Sequence, residues 1–163
     1  MSRRAILSCF LMMGNMHEPA FLIEPMNEAQ IDPCFVLARL VQPWLDLPRW
    51  RRHARGMLAA DPNRRGTITI RWVRRDNPCG LACYRCMSDI EHGLVMAVRP
   101  FAVMDPLHGR ELRAAMATRL AAMARAAGCG AMRIISTGPD MPAEALASMA
   151  RAVSSTGEHT FLF

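Results

Sequence analysis

The stretch AVRPFAVMDPLHGRELRAAMATRLAAMARAAGC, Ala97 to Cys129, carries a strand, a turn and a helix in close succession. Its first part completes the run LVMAVRPFAVM, Leu94 to Met104, which reads as one long strand. Pro100 stands inside that run. Proline has no N–H to give to a central ladder, so a bulge or local splaying is predicted there. After DPLHG comes the most regular helix of the chain, about Arg110 to Ala127. Leu112, Met116, Leu120, Met123 and Ala127 recur at helical spacing, while Arg113, Arg119 and Arg125 fall off that stripe. Such a stripe is a core face, and Gly128 supplies the stop.

Upstream, TITIRWV (Thr67 to Val73) alternates and is rich in β-branched residues, as a strand should be. Arg74 to Gly80 contains Asp76-Asn77-Pro78 and reads as a turn, after which LACYRCM pairs back as the next strand. Asp89 to Gly93 is a second turn, so three strands form a meander. Before it, FLIEPM (Phe21 to Met26) is a short first strand. Asn27 and Gln30 have capping-box spacing, and Asp32-Pro33 offers a second N-cap with proline at N1. One helix is predicted to run to about Val41 and be stopped by Pro43, and another to cover Pro48 to Ala60. Downstream, MRIIST (Met132 to Thr137) is a buried strand, Pro142 to Ser154 a final helix and HTFLF a closing strand. The predicted order is β-α-α-β-β-β-α-β-α-β, an α/β (α+β) domain.

At 163 residues the chain suits one domain with a core of its own. All 20 basic residues are arginine and the net charge is +6. The arginines, among them Arg49, Arg51, Arg52, Arg64, Arg65, Arg74 and Arg75, are dispersed with few aromatics between them. They read as a solvated surface, and nucleic acid is not the expected partner. Residues 1–19 form a predicted extension outside the fold, leaving 20–163 as the domain. Their apolar run is too short to span a bilayer. Scattered Cys9, Cys34 and Cys129 imply no disulfide framework, and a reduced cytoplasmic setting is expected.

The segment NPCGLACYRC, Asn77 to Cys86, spaces three cysteines as C-x3-C-x2-C, the spacing with which radical-SAM enzymes hold an iron–sulfur cluster. Those motifs place an aromatic residue before the last cysteine, where this chain has Arg85, and the chain lacks the strand–helix alternation of a barrel. In a strand, Cys83 and Cys86 face opposite sides and cannot converge on one cluster. No metal site is read from His17, His53 or His159 either.

FLIEPMNEAQID, CGLACYRC and the Ala97–Cys129 stretch, in this order, resemble the GNAT N-acetyltransferase superfamily over residues 21 to 163. The resemblance implies a mixed, mostly antiparallel sheet with helices on both faces and with strands four and five parted. It implies that acetyl-CoA lies in the gap as cosubstrate, along Phe101, Ala102 and Val103. The pyrophosphate would rest on His108, Gly109, Arg110, Glu111, Leu112 and Arg113, at the start of the long helix. The family's Q/R-x-x-G-x-G/A loop keeps only Gly109 here; Glu111 and Arg113 stand where glycines are usual. The tyrosine acid of the family's last helix is missing, since Tyr84 is the chain's only tyrosine, and Ser148 is the substitute donor on that helix. For a base, the turn offers Asp89, Glu91 and His92, and strand one offers Glu24.

The resemblance thus implies an N-acetyltransferase acting by direct transfer in a ternary complex with an amine acceptor. The eroded loop and absent tyrosine imply the alternative, a GNAT-like binding or regulatory module without catalysis. A homodimer is compatible with either, and no membrane partner is expected.

Overall fold

A computed structural model of the chain describes residues 20–135, 152–155 and 158–163. The elements are β1 (Phe21–Pro25), α1 (Ile31–Val41), α2 (Leu47–Leu58), β2 (Arg65–Trp72), β3 (Gly80–Asp89), β4 (Gly93–Val103), α3 (Gly109–Ala126), β5 (Ala131–Ile135), β6 (Ala152–Ser155) and β7 (Glu158–Leu162). The seven strands form one sheet in the order β1-β2-β3-β4-β5-β7-β6. Every pairing is antiparallel except that of β4 with β5.

Local chemistry accounts for most boundaries. Asn27 Oδ1 accepts from the Gln30 amide at 3.2 Å and Gln30 Oε1 accepts from the Asn27 amide at 3.0 Å, closing a capping box around a 3-10 turn, Glu28–Gln30. That turn runs straight into α1, so Asp32 is already helical and is not the predicted cap. Its carboxylate instead takes both arms of the Arg51 guanidinium from α2. Asp46 caps α2 by accepting from the Arg49 amide at 2.8 Å, with Pro48 in the first turn. Gly128, at φ +76°, ends α3 in the left-handed conformation that glycine adopts without strain.

The sheet is covered on both faces. Ile68, Ile70, Ala82, Met96, Val98 and Phe101 pack under the α3 stripe of Leu112, Met116 and Leu120, all fully enclosed. Burial of each such aliphatic side chain stabilises by about 1.5–3 kcal/mol. On the other face α1 and α2 close over Leu81, Cys83 and Ala102, with Trp50 at the centre. The Trp50 indole N–H donates to the Ile31 carbonyl at 2.6 Å and ties the two helices together. Gly80 opens β3 where the layers converge. A Cβ there would lie 2.5 Å from Ile70 Cγ2 and 3.0 Å from Met116 Sδ.

The cysteines of the β3 segment diverge as its alternation requires. Cys83 is buried under α1 and α2, whereas Cys86 packs on the α3 side, 3.6 Å from the Cys129 thiol. Cys79 precedes the strand and also lies on the α3 side, with its thiol donating to the Ile70 carbonyl.

The helix predicted from Pro142 to Ser154 lies outside the described residues as far as 151. At its end the prediction is corrected: Ala152 to Ser155 are strand, paired antiparallel with Glu158 to Phe161. No helix among the described residues is long and apolar enough to cross a membrane.

Candidate functional site

β4 is the element on which the site is built. It pairs with β5 only from Val95 opposite Ala131 to Val98 opposite Ile134. β5 then ends at Ile135 while β4 runs on to Val103. On the other edge, the register with β3 slips between Ala82/Phe101 and Tyr84/Val98, so Arg99 and Pro100 together oppose Cys83 alone. That is a β-bulge at the predicted proline. From Arg99 to Val103, β4 therefore has β3 on one side and, among the described residues, no strand on the other. A strand edge that the described residues leave unpaired offers backbone donors and acceptors to an extended ligand.

The loop after β4 is fastened by Asp105. Its Oδ1 accepts from the amides of Leu107 (3.0 Å) and His108 (2.8 Å), and its Oδ2 from the Trp72 indole N–H (2.9 Å). These donors, the His108 amide foremost and the Trp72 indole next, hold the Asp105 carboxyl below its ordinary range. The His108 ring meets Trp72 edge-on at 5.0 Å. A cavity of about 670 Å³ lined by Trp72, Arg74, Arg75 and His108 borders this loop.

α3 starts at Gly109 with no side chain capping its first amides. One turn on, Arg113 folds back so that its Nη2 donates to the Val103 carbonyl at 3.2 Å. Burial pushes its pKa down, yet from so high a start that it stays a cation at neutral pH. A guanidinium thus sits between the end of β4 and a helix N-terminus. Both favour an anion. Gly109 keeps the space open: a Cβ there would touch nothing closer than Arg113 Nη1 at 3.5 Å. Arg110 and Glu111 are exposed, and Leu112 is buried in the core beneath them.

The predicted cofactor residues Phe101 to Val103 and His108 to Arg113 therefore come together at one end of β4. Of the candidate catalytic residues, Glu91 and Glu24 do not join them. Glu91 lies in the turn before Gly93 with an 83 % exposed side chain. From Gly93 to the bulge at Arg99 is about 20 Å of extended chain at the usual strand rise. Asp89 accepts from the Glu91 and His92 amides there, as turn chemistry asks. Glu24 is on the edge strand β1, paired with Arg71 at 2.8 Å and accepting from Gln30 Nε2 at 3.2 Å. Tyr84 is buried on the α3 side and donates its hydroxyl to the Pro62 carbonyl at 2.7 Å. Ser148 lies outside the described residues.

Sequence reading missed two features. The Trp72–Asp105 bond joins residues 33 apart and has no local signal. The arginines read as dispersed surface are partly gathered by the sheet, as described below.

The architecture, a mixed sheet flanked by helices and parting between parallel strands four and five, is the fold of the GNAT N-acetyltransferases. No protein-family model matches the sequence, and no curated protein does. Three solved structures show the likeness. A GNAT-family acetyltransferase from Staphylococcus aureus Mu50 aligns over 88% of this chain and 99% of its own, at 8% identity and a TM-score of 0.63. A Trypanosoma brucei acetyltransferase aligns over 83% and 96%, at 15% identity and 0.61. An aminoglycoside N-acetyltransferase, AAC(6')-Iy, solved in complex with CoA, aligns over 73% and 78%, at 15% identity and 0.61.

Proposed function

We propose that the chain is an acetyl-CoA-dependent N-acyltransferase that acetylates an amine by direct attack. One observation carries the reading: the open edge of β4 past its bulge ends beside the uncapped start of α3, where Arg113 supplies a cation. The pantetheine arm would pair along Phe101 to Val103, and the diphosphate would rest on Gly109 and its neighbours with Arg113 beside it. Arg110 adds positive charge there and Glu111 subtracts some.

In the reaction, the deprotonated amine attacks the thioester carbonyl. The C–N bond forms, the C–S bond breaks and CoA leaves as a thiolate that takes up a proton. A backbone N–H of the bulged segment stabilises the oxyanion. The amine's proton passes to water, for which no strong base is required. The CoA complex of the aminoglycoside acetyltransferase, with the same fold, supports the cosubstrate.

Thermal unfolding with acetyl-CoA present tests the reading. A ligand that binds only the native state raises the melting temperature by mass action. No rise at millimolar acetyl-CoA would refute it. A second reading, a binding module without turnover, is favoured by the engagement of the only tyrosine with Pro62. Steady CoA release with any amine acceptor would reject that second reading.

A further inference from the structure

On the face opposite α3, arginines from four elements meet around one cavity of about 330 Å³. Arg52 comes from α2, Arg65 from the first position of β2, Arg85 from β3 and Arg99 from the β4 bulge. His53, Gly56 and Met57 of α2 and Cys83, Tyr84 and Ala97 of the sheet also line it. A Cβ on Gly56 would meet nothing within 4 Å, so the space beside it is open.

On α2, Arg49, Arg51 and Arg55 are each paired with an acid, Asp46, Asp32 and Glu28. Arg52, Arg65, Arg85 and Arg99 form no ion pair among the described residues. Arg65 and Arg85 are direct cross-strand partners, an arrangement that like charges disfavour. The same field reaches His53. Burial first, then Arg65 and Arg85, hold its imidazole below the ordinary range.

Four solvent-exposed arginines line one small concavity and make it a site for an oxyanion, because each guanidinium can give two parallel N–H bonds to adjacent oxygens. The volume is that of a small-molecule pocket. Cys83 and Arg99 line it, and both belong to the bulge beside which the acyl group is proposed to lie. The diphosphate of acetyl-CoA has its own proposed seat at α3, across the sheet.

We infer that this cavity is the acceptor site and that the acceptor is a small primary amine carrying a phosphate monoester. A phosphate monoester offers three terminal oxygens to the four forks, where a carboxylate offers two. The word acceptor rests on the acyltransferase reading; the anion site does not.

The test uses the full chain, O-phosphoethanolamine, ethanolamine and β-alanine as probes, and the His53 ring signal in NMR. With saturating CoA present, O-phosphoethanolamine should shift that signal and raise the pH at which His53 titrates, whereas ethanolamine should not. The double variant Arg65→Gln/Arg85→Gln should weaken the probe roughly tenfold or more, as expected for lost charge-assisted bonds, with acetyl-CoA affinity unchanged. Single Arg65→Gln provides the readout if the double variant fails to fold. No His53 response, equal binding of β-alanine, or displacement of the probe by CoA would each overturn the inference. Probe binding without any acetyl-CoA binding would instead sink the acyltransferase reading, and the acceptor role with it.

Discussion

Arg65 and Arg85 face each other across the β2–β3 ladder, and neither has an acidic partner among the described residues. Like charges placed opposite one another destabilise a sheet by about 0.2–1 kcal/mol. Arg85→Gln is therefore expected to raise stability by about 0.5 kcal/mol, read in urea denaturation, while weakening the binding of phosphorylated amines. A loss of stability would refute the repulsion between the two arginines.

Gly80→Ala tests the closing of the layers. Its Cβ would fall inside contact distance of Ile70, Met116 and Val103, which belong to three different elements. Overpacking of this kind costs about 1–3 kcal/mol. Urea titration should show it as a lower midpoint with an unchanged slope.

Gly109→Ala separates fold from ligand. The added methyl meets only an ordinary contact with Arg113, so stability should change by less than about 0.5 kcal/mol. Where the backbone must approach a diphosphate, the same methyl intrudes. Calorimetric titration with acetyl-CoA should show weaker binding by a protein that melts as the parent does.

Trp50→Phe removes the donor to the Ile31 carbonyl while keeping an aromatic core. The Ile31 carbonyl, at the start of α1, keeps its helical partner, so the loss is that of one hydrogen bond, about 0.5–1.5 kcal/mol. Thermal unfolding should register the loss, and the α1–α2 contact should be where hydrogen exchange quickens.

Acid should loosen the loop before α3. The Asp105 carboxyl is held below its ordinary value of 3.8 by the His108 amide and the Trp72 indole. A depressed folded pKa means stability that is fully present above the unfolded value and lost as pH falls through the folded one. Trp72 fluorescence should therefore change below the ordinary carboxyl range, and Asp105→Asn should abolish that acid step.

Much of the scaffold was readable in the chain because its signals are local. The alternation of TITIRWV, the stripe of α3, the capping box at Asn27 and Pro100 within β4 each depend on near neighbours. Ala152 to Ser155 failed that test: an Ala- and Ser-rich run has helical leanings, and pairing with β7 overrides them. Asp32 was misread because the cap had already been set five residues earlier. The arginine cavity was hidden for a different reason. Arg52, Arg65, Arg85 and Arg99 are 13, 20 and 14 residues apart in turn, and strand register and helix packing bring them together.

The bulge at Arg99 and Pro100 also sets a parity. Before it the even-numbered residues Leu94, Met96 and Val98 belong to the α3-side core, and after it the odd-numbered Phe101 and Val103 do. One extra residue switches the phase of the strand. Strict alternation of the same eleven residues without the bulge would turn Phe101 and Val103 toward α1 and leave Ala102 beneath α3, whereas deleting Pro100 would remove the extra residue and keep Phe101 and Val103 on the α3 side. The proline position thus decides which side of the sheet the last residues of β4 complete, as well as where the strand leaves its neighbour.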